Sequence, residues 1–264
     1  MNRRSWLYVP AHRERFVEKA LSEAAADCVI LDLEDGVPPA EKERARVAVR
    51  AALARPAGGP ELWVRLNRDF EHDLPALQGE APAGVCLSKV EESAEVARAA
   101  AAVGVPLLVG IETARGLLVA PALAAAHPGV FGLVFGAEDF ALDVGMGADR
   151  DRDLLYARSA IVVAAAAARV AAVDGVFPDL DDEAGLEADA RLGRRLGFAG
   201  KTTFNPRQLE VLNRVYEPAA EELEFARRVV EAYEAAEARG HGAVAVDGRL
   251  VDPPVVARAR RLLR

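Results

Sequence analysis

The chain has 264 residues, 52% of them hydrophobic, with a mean hydropathy of +0.06. A domain of this size buries roughly three quarters of its unfolded surface, so it needs no disulfide or metal staple, and the composition argues against disorder. Lys and Arg number 33 against 41 Asp and Glu, a net charge of −8, which argues against nucleic-acid binding and leaves room for a small anion held by local arginines.

In chain order, short β-branched runs alternate with longer Ala-, Glu- and Arg-rich runs. Strands are predicted at Trp6–Val9, Cys28–Leu33, Leu62–Leu66, Gly84–Leu87, Pro106–Ile111, Gly132–Phe135, Ala172–Phe177 and Lys201–Phe204. Helices are predicted at Arg13–Ala26, Ala40–Ala54, Glu91–Ala102, Arg115–Ala126, Arg152–Val170 and Asp182–Leu196, with Asp69–Gln78 the least clearly helical connection. Such alternation makes a parallel sheet covered by helices, and about eight units in one domain-sized chain gives an α/β fold of the (β/α)8 TIM-barrel kind. The rival, an open doubly wound sheet, would carry a Gly-rich turn after its first strand. Here that turn reads Pro10-Ala11-His12-Arg13-Glu14, without glycine.

The barrel is assigned to residues 1–216. Residues 217–264 form a C-terminal helix-hairpin extension: a polar helix over Glu217–Gly240, a hairpin turning at Asp247-Gly248, and an Arg-rich last helix. This extension is too small for an independent domain and suits a lid or an oligomer arm, with packing under the barrel as the plain alternative. Gly200-Lys201-Thr202 imitates the end of a phosphate-binding loop, but Arg195 stands where its first glycine belongs, so the motif is rejected. Cys28 and Cys86 each lie in an apolar run and are read as buried free thiols. The segment MNRRSWLYVP lacks the apolar core of a signal peptide, and the longest apolar stretch, Ile161–Ala168, is far short of a membrane span. The expectation is a soluble cytoplasmic protein with no membrane partner.

Chemistry in such barrels gathers at the C-terminal ends of the strands. There the chain places Asp32-Leu33-Glu34-Asp35-Gly36, Arg65-Leu66-Asn67, Ser88-Lys89, Glu112-Thr113-Ala114-Arg115-Gly116, Gly136-Ala137-Glu138-Asp139, Pro178-Asp179 and Asn205-Pro206. Taken singly, Asp35 or Asp139 is as readily a helix cap. Together with Arg65 and Lys89 on one rim, the acids are harder to explain by capping. Glu112 and Asp139, on neighbouring strands, converge as hard oxygen ligands for Mg²⁺ or Mn²⁺; no histidine pair has zinc spacing. The fork of Arg65 suits a substrate carboxylate, and the turn Gly136-Ala137-Glu138-Asp139 offers backbone N–H groups to a second carboxylate or an oxyanion. Read from its residues, the site is a divalent metal with a cationic clamp for a small chelating oxyacid.

Several motifs, in order, cover almost the whole chain. They are Arg4-Ser5-Trp6-Leu7-Tyr8-Val9-Pro10, Ala26-Asp27-Cys28-Val29-Ile30-Leu31-Asp32-Leu33-Glu34-Asp35-Gly36-Val37, Lys42 with Ala45-Arg46, Val64-Arg65-Leu66-Asn67, Ser88-Lys89-Val90-Glu91, Ile111-Glu112-Thr113-Ala114-Arg115-Gly116, Phe135-Gly136-Ala137-Glu138-Asp139 and, in the tail, Asp247-Gly248 and Val251-Asp252-Pro253. The set resembles the citrate lyase β-subunit family of the aldolase/citrate lyase superfamily. The resemblance implies a Mg²⁺-dependent carbon–carbon lyase acting on oxyacyl thioesters such as citryl-CoA or malyl-CoA, carried by CoA or an acyl-carrier protein. It implies Glu112 and Asp139 as metal ligands, Arg65 on the keto-acid carboxylate and Gly136, Ala137 and Glu138 in the loop that helps bind it. It also implies Asp252 as an acid/base arriving from an adjacent subunit of a homotrimer, and lyase-complex subunits as partners. The family pattern departs from this chain at Ala11-His12-Arg13-Glu14, where it has Gly and Pro, and at Asn205, where it often has His.

Glu34 and Asp35 are carried as further catalytic candidates. Lys89 is read as a rim residue or structural ion pair, Lys42 and Arg46 as a solvated helix face with an alternative supporting role beside Glu34 or Asp35, and Trp6 and Trp63 as core. The rival activities are a malate-synthase-like or thioesterase reaction on the same site, and a non-catalytic subunit that binds oxaloacetate.

Overall fold

The structure is a computed structural model that describes residues 3–23, 25–56, 58–147 and 153–263. Eight parallel strands close into a barrel in sequence order: β1 Ser5–Pro10, β2 Cys28–Asp32, β3 Glu61–Leu66, β4 Gly84–Leu87, β5 Leu107–Ile111, β6 Val130–Phe135, β7 Ala171–Asp174 and β8 Gly200–Thr203, with β1 pairing β8. The connections carry α1 Glu14–Ser22, α2 Lys42–Leu53, α3 Ser93–Val103, α4 Ala114–Ala124, α5 Ala137–Asp143, α6 Leu155–Ala168, α7 Glu183–Leu196 and α8 Leu209–Tyr216.

Side chains alternate along each strand. One set, Trp6, Tyr8, Cys28, Ile30, Trp63, Cys86, Leu108, Val134 and Val173, fills the barrel interior. The other, including Leu7, Val29, Leu31, Val64, Leu87, Val109 and Leu133, packs under the helices. Two indoles meet edge to face at the barrel centre, Trp6 on Trp63 at 5.1 Å, and Gly84 clears the room they need, since a Cβ there would lie 2.3 Å from the Trp63 ring. Both cysteines are free and buried, and burial pushes their thiols well up.

Three connections differ from the expectation. Asp69–Gln78 holds two short 3₁₀ turns, Phe70–His72 and Leu74–Leu77. The strand predicted to Phe177 stops at Asp174, whose carboxylate turns to meet Arg158 and Lys201. α5 was not expected, because its seven residues are too few to show a helical period. The predicted start of the Arg152–Val170 helix lies outside the described residues, as does Ala24 in the Arg13–Ala26 helix; α1 ends at Ser22.

Lys201, of the rejected phosphate motif, is buried between β7, β8 and α7, 3.1 Å from Asp174 and 2.6 Å from Asp189. Arg158 of α6 reaches the same two carboxylates at 2.5 and 2.7 Å. Two cations thus balance two anions, each holding more than one partner.

Residues Glu217–Arg264 form a second compact unit. In it α9 Ala220–Glu237, β9 Val244–Val246, β10 Arg249–Val251 and α10 Pro253–Leu262 share a small core of Ala226, Val229, Tyr233, Val246, Val251, Val256 and Ala259. Asp247 and Gly248, at φ +49° and +74°, give the hairpin its left-handed turn. No described helix is long and apolar enough to cross a membrane.

Replacing Lys201 with Met leaves the Asp174 and Asp189 carboxylates to Arg158 alone. Breaking a buried pair from one side costs about 3 kcal/mol or more, so a urea melt of Lys201→Met is expected to lose that much; an unchanged melt would show the network to be idle.

Candidate active site

The interior alternation does not stop at the last ring of apolar residues. Two residues beyond Ile30, Trp63, Cys86 and Val134, the same parity brings Asp32, Arg65, Ser88 and Gly136 to the barrel mouth, and Glu112 follows Leu108 and Gly110 there. The rim chemistry therefore continues the inward face of the strands.

Asp32 organises this mouth. It is 1% exposed. Its Oδ1 accepts from Arg65 Nε and the Glu34 backbone N–H, both at 2.8 Å, and its Oδ2 accepts from Arg65 Nη2 at 2.7 Å and the Gly36 N–H at 2.9 Å. One edge of the Arg65 fork is thus held by the protein itself. The end-on edge, Nη1 with the second proton of Nη2, meets Glu34 Oε2 at 3.3 Å from Nη1. The guanidinium lies 4.7 Å over the Tyr8 ring. Burial opposes its charge, but the hydrogen bonds and charge of Asp32 hold its pKa above the ordinary arginine value.

Glu34, Asp35 and Asp139 are gathered by one ammonium. Lys89 Nζ lies 2.9 Å from Glu34 Oε1, 2.5 Å from Asp35 Oδ2 and 3.5 Å from Asp139 Oδ1. Burial works against the Lys89 charge, yet these carboxylates push its pKa up. Burial also works against Asp35, whose carboxyl Lys89 nevertheless holds below the usual range. Lys89 is the ion pair expected of it. Neither Asp35 nor Asp139 is a helix cap: Asp35 sits in the β2–α2 loop, and Asp139 in the first turn of α5 after its N-cap Gly136.

Lys42 and Arg46 do not form a solvated face. Lys42 Nζ donates to the carbonyls of Leu33 (2.6 Å) and Glu34 (2.8 Å) and to Asn67 Oδ1 (2.7 Å). Arg46 pairs at 2.9 Å with buried Asp73, which accepts from both nitrogens of Asn67. The loops after β2 and β3 are tied together through this chain, the supporting role named as the alternative. Helical spacing alone does not tell such a face from a solvated one, because the partners lie on other loops.

Glu112 is buried, and its Oε2 has no hydrogen-bond partner among the described residues. Burial pushes its carboxyl up to about 7; Arg65 opposes the shift, while the charges of Glu34 and Asp139 add to it. Two glycines make space for it: a Cβ at Gly110 would fall 2.5 Å from its Oε1, and one at Gly136 would fall 2.4 Å from its Cγ. Of the N–H groups in the turn Gly136-Ala137-Glu138-Asp139, that of Gly136 donates to the Ile111 carbonyl at 3.0 Å and does not face the site. That donor is part of the β5–β6 connection, and Gly136 serves the site by its missing side chain. Ala137 is buried and Glu138 exposed on α5.

Asp252 lies in the second unit, where its Oδ1 caps α10 by accepting the Val255 N–H at 3.3 Å. Sequence reasoning gave no role to Asp32, Tyr8 or Ser88. The signal that finds them is strand parity, counted from the apolar interior outward.

The donor set suits a hard divalent cation. Among the described residues, five carboxyls (Asp32, Glu34, Asp35, Glu112, Asp139) face two cations (Arg65, Lys89), an excess of acid at the mouth, and Glu112 Oε2 accepts no hydrogen bond from any of them. Among the described residues no three His, Cys, Asp or Glu side chains close on one point; Glu112 and Asp139, if both bound a metal, would give it two protein carboxylates, a number usual for Mg²⁺.

Known proteins share this arrangement of sequence and fold. The chain is 36% identical over 280 residues to the citrate lyase subunit beta of Leuconostoc mesenteroides subsp. cremoris, covering 99% of this chain and 92% of that one. It is 39% identical over 267 residues to a (3S)-malyl-CoA thioesterase of Cereibacter sphaeroides, covering 98% and 93%. Among solved structures, the protein CitE from Mycobacterium tuberculosis in complex with magnesium, acetoacetate and coenzyme A superposes with a TM-score of 0.83 at 37% identity, over 98% of this chain and 96% of that one. The citrate lyase beta subunit of the same organism complexed with oxaloacetate and magnesium gives 0.72 at 37% identity, over 81% and 96%. Residues 4–206 match the HpcH/HpaI aldolase/citrate lyase family, and the chain belongs to that family.

Proposed function

We propose that the chain is a Mg²⁺-dependent carbon–carbon lyase of citrate lyase β-subunit type, cleaving or forming an oxyacyl thioester such as citryl-CoA or malyl-CoA, with oxaloacetate or a similar keto acid as the other product. The observation that carries this reading is the Glu112 carboxyl, buried with one oxygen unpaired beside Arg65 and Asp139. Family membership and the magnesium, oxaloacetate and coenzyme A in related structures support it.

Glu112 and Asp139 would hold the metal, which when bound supplies a Lewis acid for the keto-acid oxygens and a sink for the charge that develops on bond cleavage. The chain's own residues do the rest. The end-on edge of Arg65 receives the keto-acid carboxylate, and Asp32 fixes the plane in which it is offered. Lys89 keeps Glu34 and Asp35 at the rim, where a carboxylate can take the hydroxyl proton of the oxyacyl thioester. Asp252, supplied by a neighbouring copy in a homotrimer, protonates the departing thioester enolate. A cytoplasmic location fits this metabolism.

A second reading, hydrolysis of the thioester, draws support from the malyl-CoA thioesterase relatives. The two separate on product: free thiol for the thioesterase, acetyl-CoA for the lyase. Mg²⁺-dependent oxaloacetate binding without turnover of any thioester would instead mark a non-catalytic subunit.

Glu112→Ala and Asp139→Ala are each expected to lower Mg²⁺-dependent turnover of citryl-CoA or malyl-CoA at least about a hundredfold, the scale of a lost transition-state contact; retained turnover in a folded variant sinks the assignment. Arg65→Lys keeps the charge but loses both edges of the fork, and is expected to raise the KM for the keto acid in the synthetic direction roughly tenfold or more. For the tail, Asp252→Ala should impair turnover while leaving Mg²⁺ and oxaloacetate binding intact; unchanged turnover would return Asp252 to its capping role.

A further inference from the structure

Ser88 carries a buried hydroxyl at the barrel mouth that neither the fold nor the reaction above uses. It is 4% exposed, and its Oγ has no hydrogen-bond partner among the described residues. A hydroxyl left unpaired in the interior weakens a fold, and most buried hydroxyls find a carbonyl or carboxylate. Mid-helix serines commonly return to the carbonyl one turn earlier, but Ser88 directly follows strand β4 and lies in no helix.

Its direction follows from the strand. Cys86 points into the barrel and Leu87 toward the helices, so Ser88 points inward again. Immediately after it the backbone turns sharply, at Lys89 with φ +53°, and sends the ammonium to the rim carboxylates. Ser88 and Lys89 therefore divide between floor and rim.

Its neighbour is fixed by register. β4 pairs β5 through Cys86 with Leu108 and Leu87 with Val109, where the ladder ends, and Ser88 follows Leu87 as Gly110 follows Val109. Over Gly110 lies the Glu112 carboxyl, whose Oε1 stands where a side chain at 110 would begin; the Leu87 carbonyl is 2.7 Å from the same point. Two buried polar atoms without a partner among the described residues, Ser88 Oγ and Glu112 Oε2, thus belong to the residues that directly follow the adjacent strands β4 and β5. Glu112 wants a cation, and Ser88 has a proton to donate to an anionic or carbonyl oxygen.

We propose that Ser88 is a specificity-determining residue, its hydroxyl donating to an oxygen of the keto-acid ligand beside Glu112. This rests on the keto-acid reading given under Proposed function. Arg65 and Ser88 then grip the ligand from adjacent strands, β3 and β4, one by charge and one by a neutral donor.

The test is titration calorimetry on Ser88→Ala and wild type, first with Mg²⁺ alone and then with oxaloacetate in the presence of Mg²⁺, beside a thermal melt of each. The expected result is an unchanged Mg²⁺ Kd, an oxaloacetate Kd weakened about tenfold, the scale of one hydrogen bond to a charged acceptor, and a Tm that stays or rises because an unpaired hydroxyl has been removed. An unchanged oxaloacetate Kd overturns the proposal, leaving solvent as the partner of Ser88. A lower Tm with Mg²⁺ and oxaloacetate weakened together overturns it too, in favour of a structural role. Wild-type protein that binds Mg²⁺ but no keto acid sinks the functional reading itself, a result seen before the variant is compared.

Discussion

A guanidinium inside a barrel needs an anion beside it, and Asp32 meets Arg65 along a full edge of its fork. The rest of the mouth is arranged around that pair. Asp32 also accepts the N–H groups of Glu34 and Gly36, so the residue that orients Arg65 shapes the loop that carries Glu34 and Asp35. Lys42 grips the same loop from outside, through the Leu33 and Glu34 carbonyls. A pair this buried contributes little net stability, because desolvation offsets most of its attraction. Its value is geometric: it gives Arg65 one orientation and leaves one edge for a ligand.

Geometry also explains why the site sits on strands and not on long loops. Asp32, Arg65, Ser88 and Glu112 follow directly from the inward parity of four consecutive strands, β2 to β5, held in register by their ladders. Their positions are set by the barrel, whose interior is locked by Trp6 and Trp63. The close fit has a requirement elsewhere. Glu112 folds back over Gly110 and against Gly136, and any side chain at either position would collide with it.

These relations were unevenly legible in the sequence. The alternating βα pattern reveals the barrel because each strand is a short apolar run and each helix a long amphipathic one. Glu112, Asp139, Arg65, Glu34 and Asp35 are visible as polar residues at strand ends. The roles of Asp32, Lys42 and Arg46 are not, since each is defined by partners on another loop: Arg65 for Asp32, Asn67 for Lys42, Asp73 for Arg46. α5 escapes for a different reason; seven residues make about two turns, too short for a period. The turn Gly136-Ala137-Glu138-Asp139 is readable as a source of backbone N–H groups, but not which of them the sheet takes: the β5–β6 pairing extends one residue further and uses the N–H of Gly136.

Lys89 ties the two halves of the rim together. A left-handed conformation is unfavourable for a lysine, and it persists only where surrounding contacts over-determine it. The contacts are three carboxylates from two separate segments, Glu34 and Asp35 after β2 and Asp139 on α5. The turn at Lys89 places its ammonium between them, and without that cation the three acids would repel one another across the mouth. Asp139 is the weakest held of the three, at 3.5 Å and half-exposed. It is therefore the carboxylate most readily shared with a second cation, and it stands on the same short helix that Gly136 begins, against Glu112. The ion pair that stabilises the rim and the site that would receive a divalent ion thus meet at one side chain, and the looser grip of Lys89 on Asp139 lets both operate.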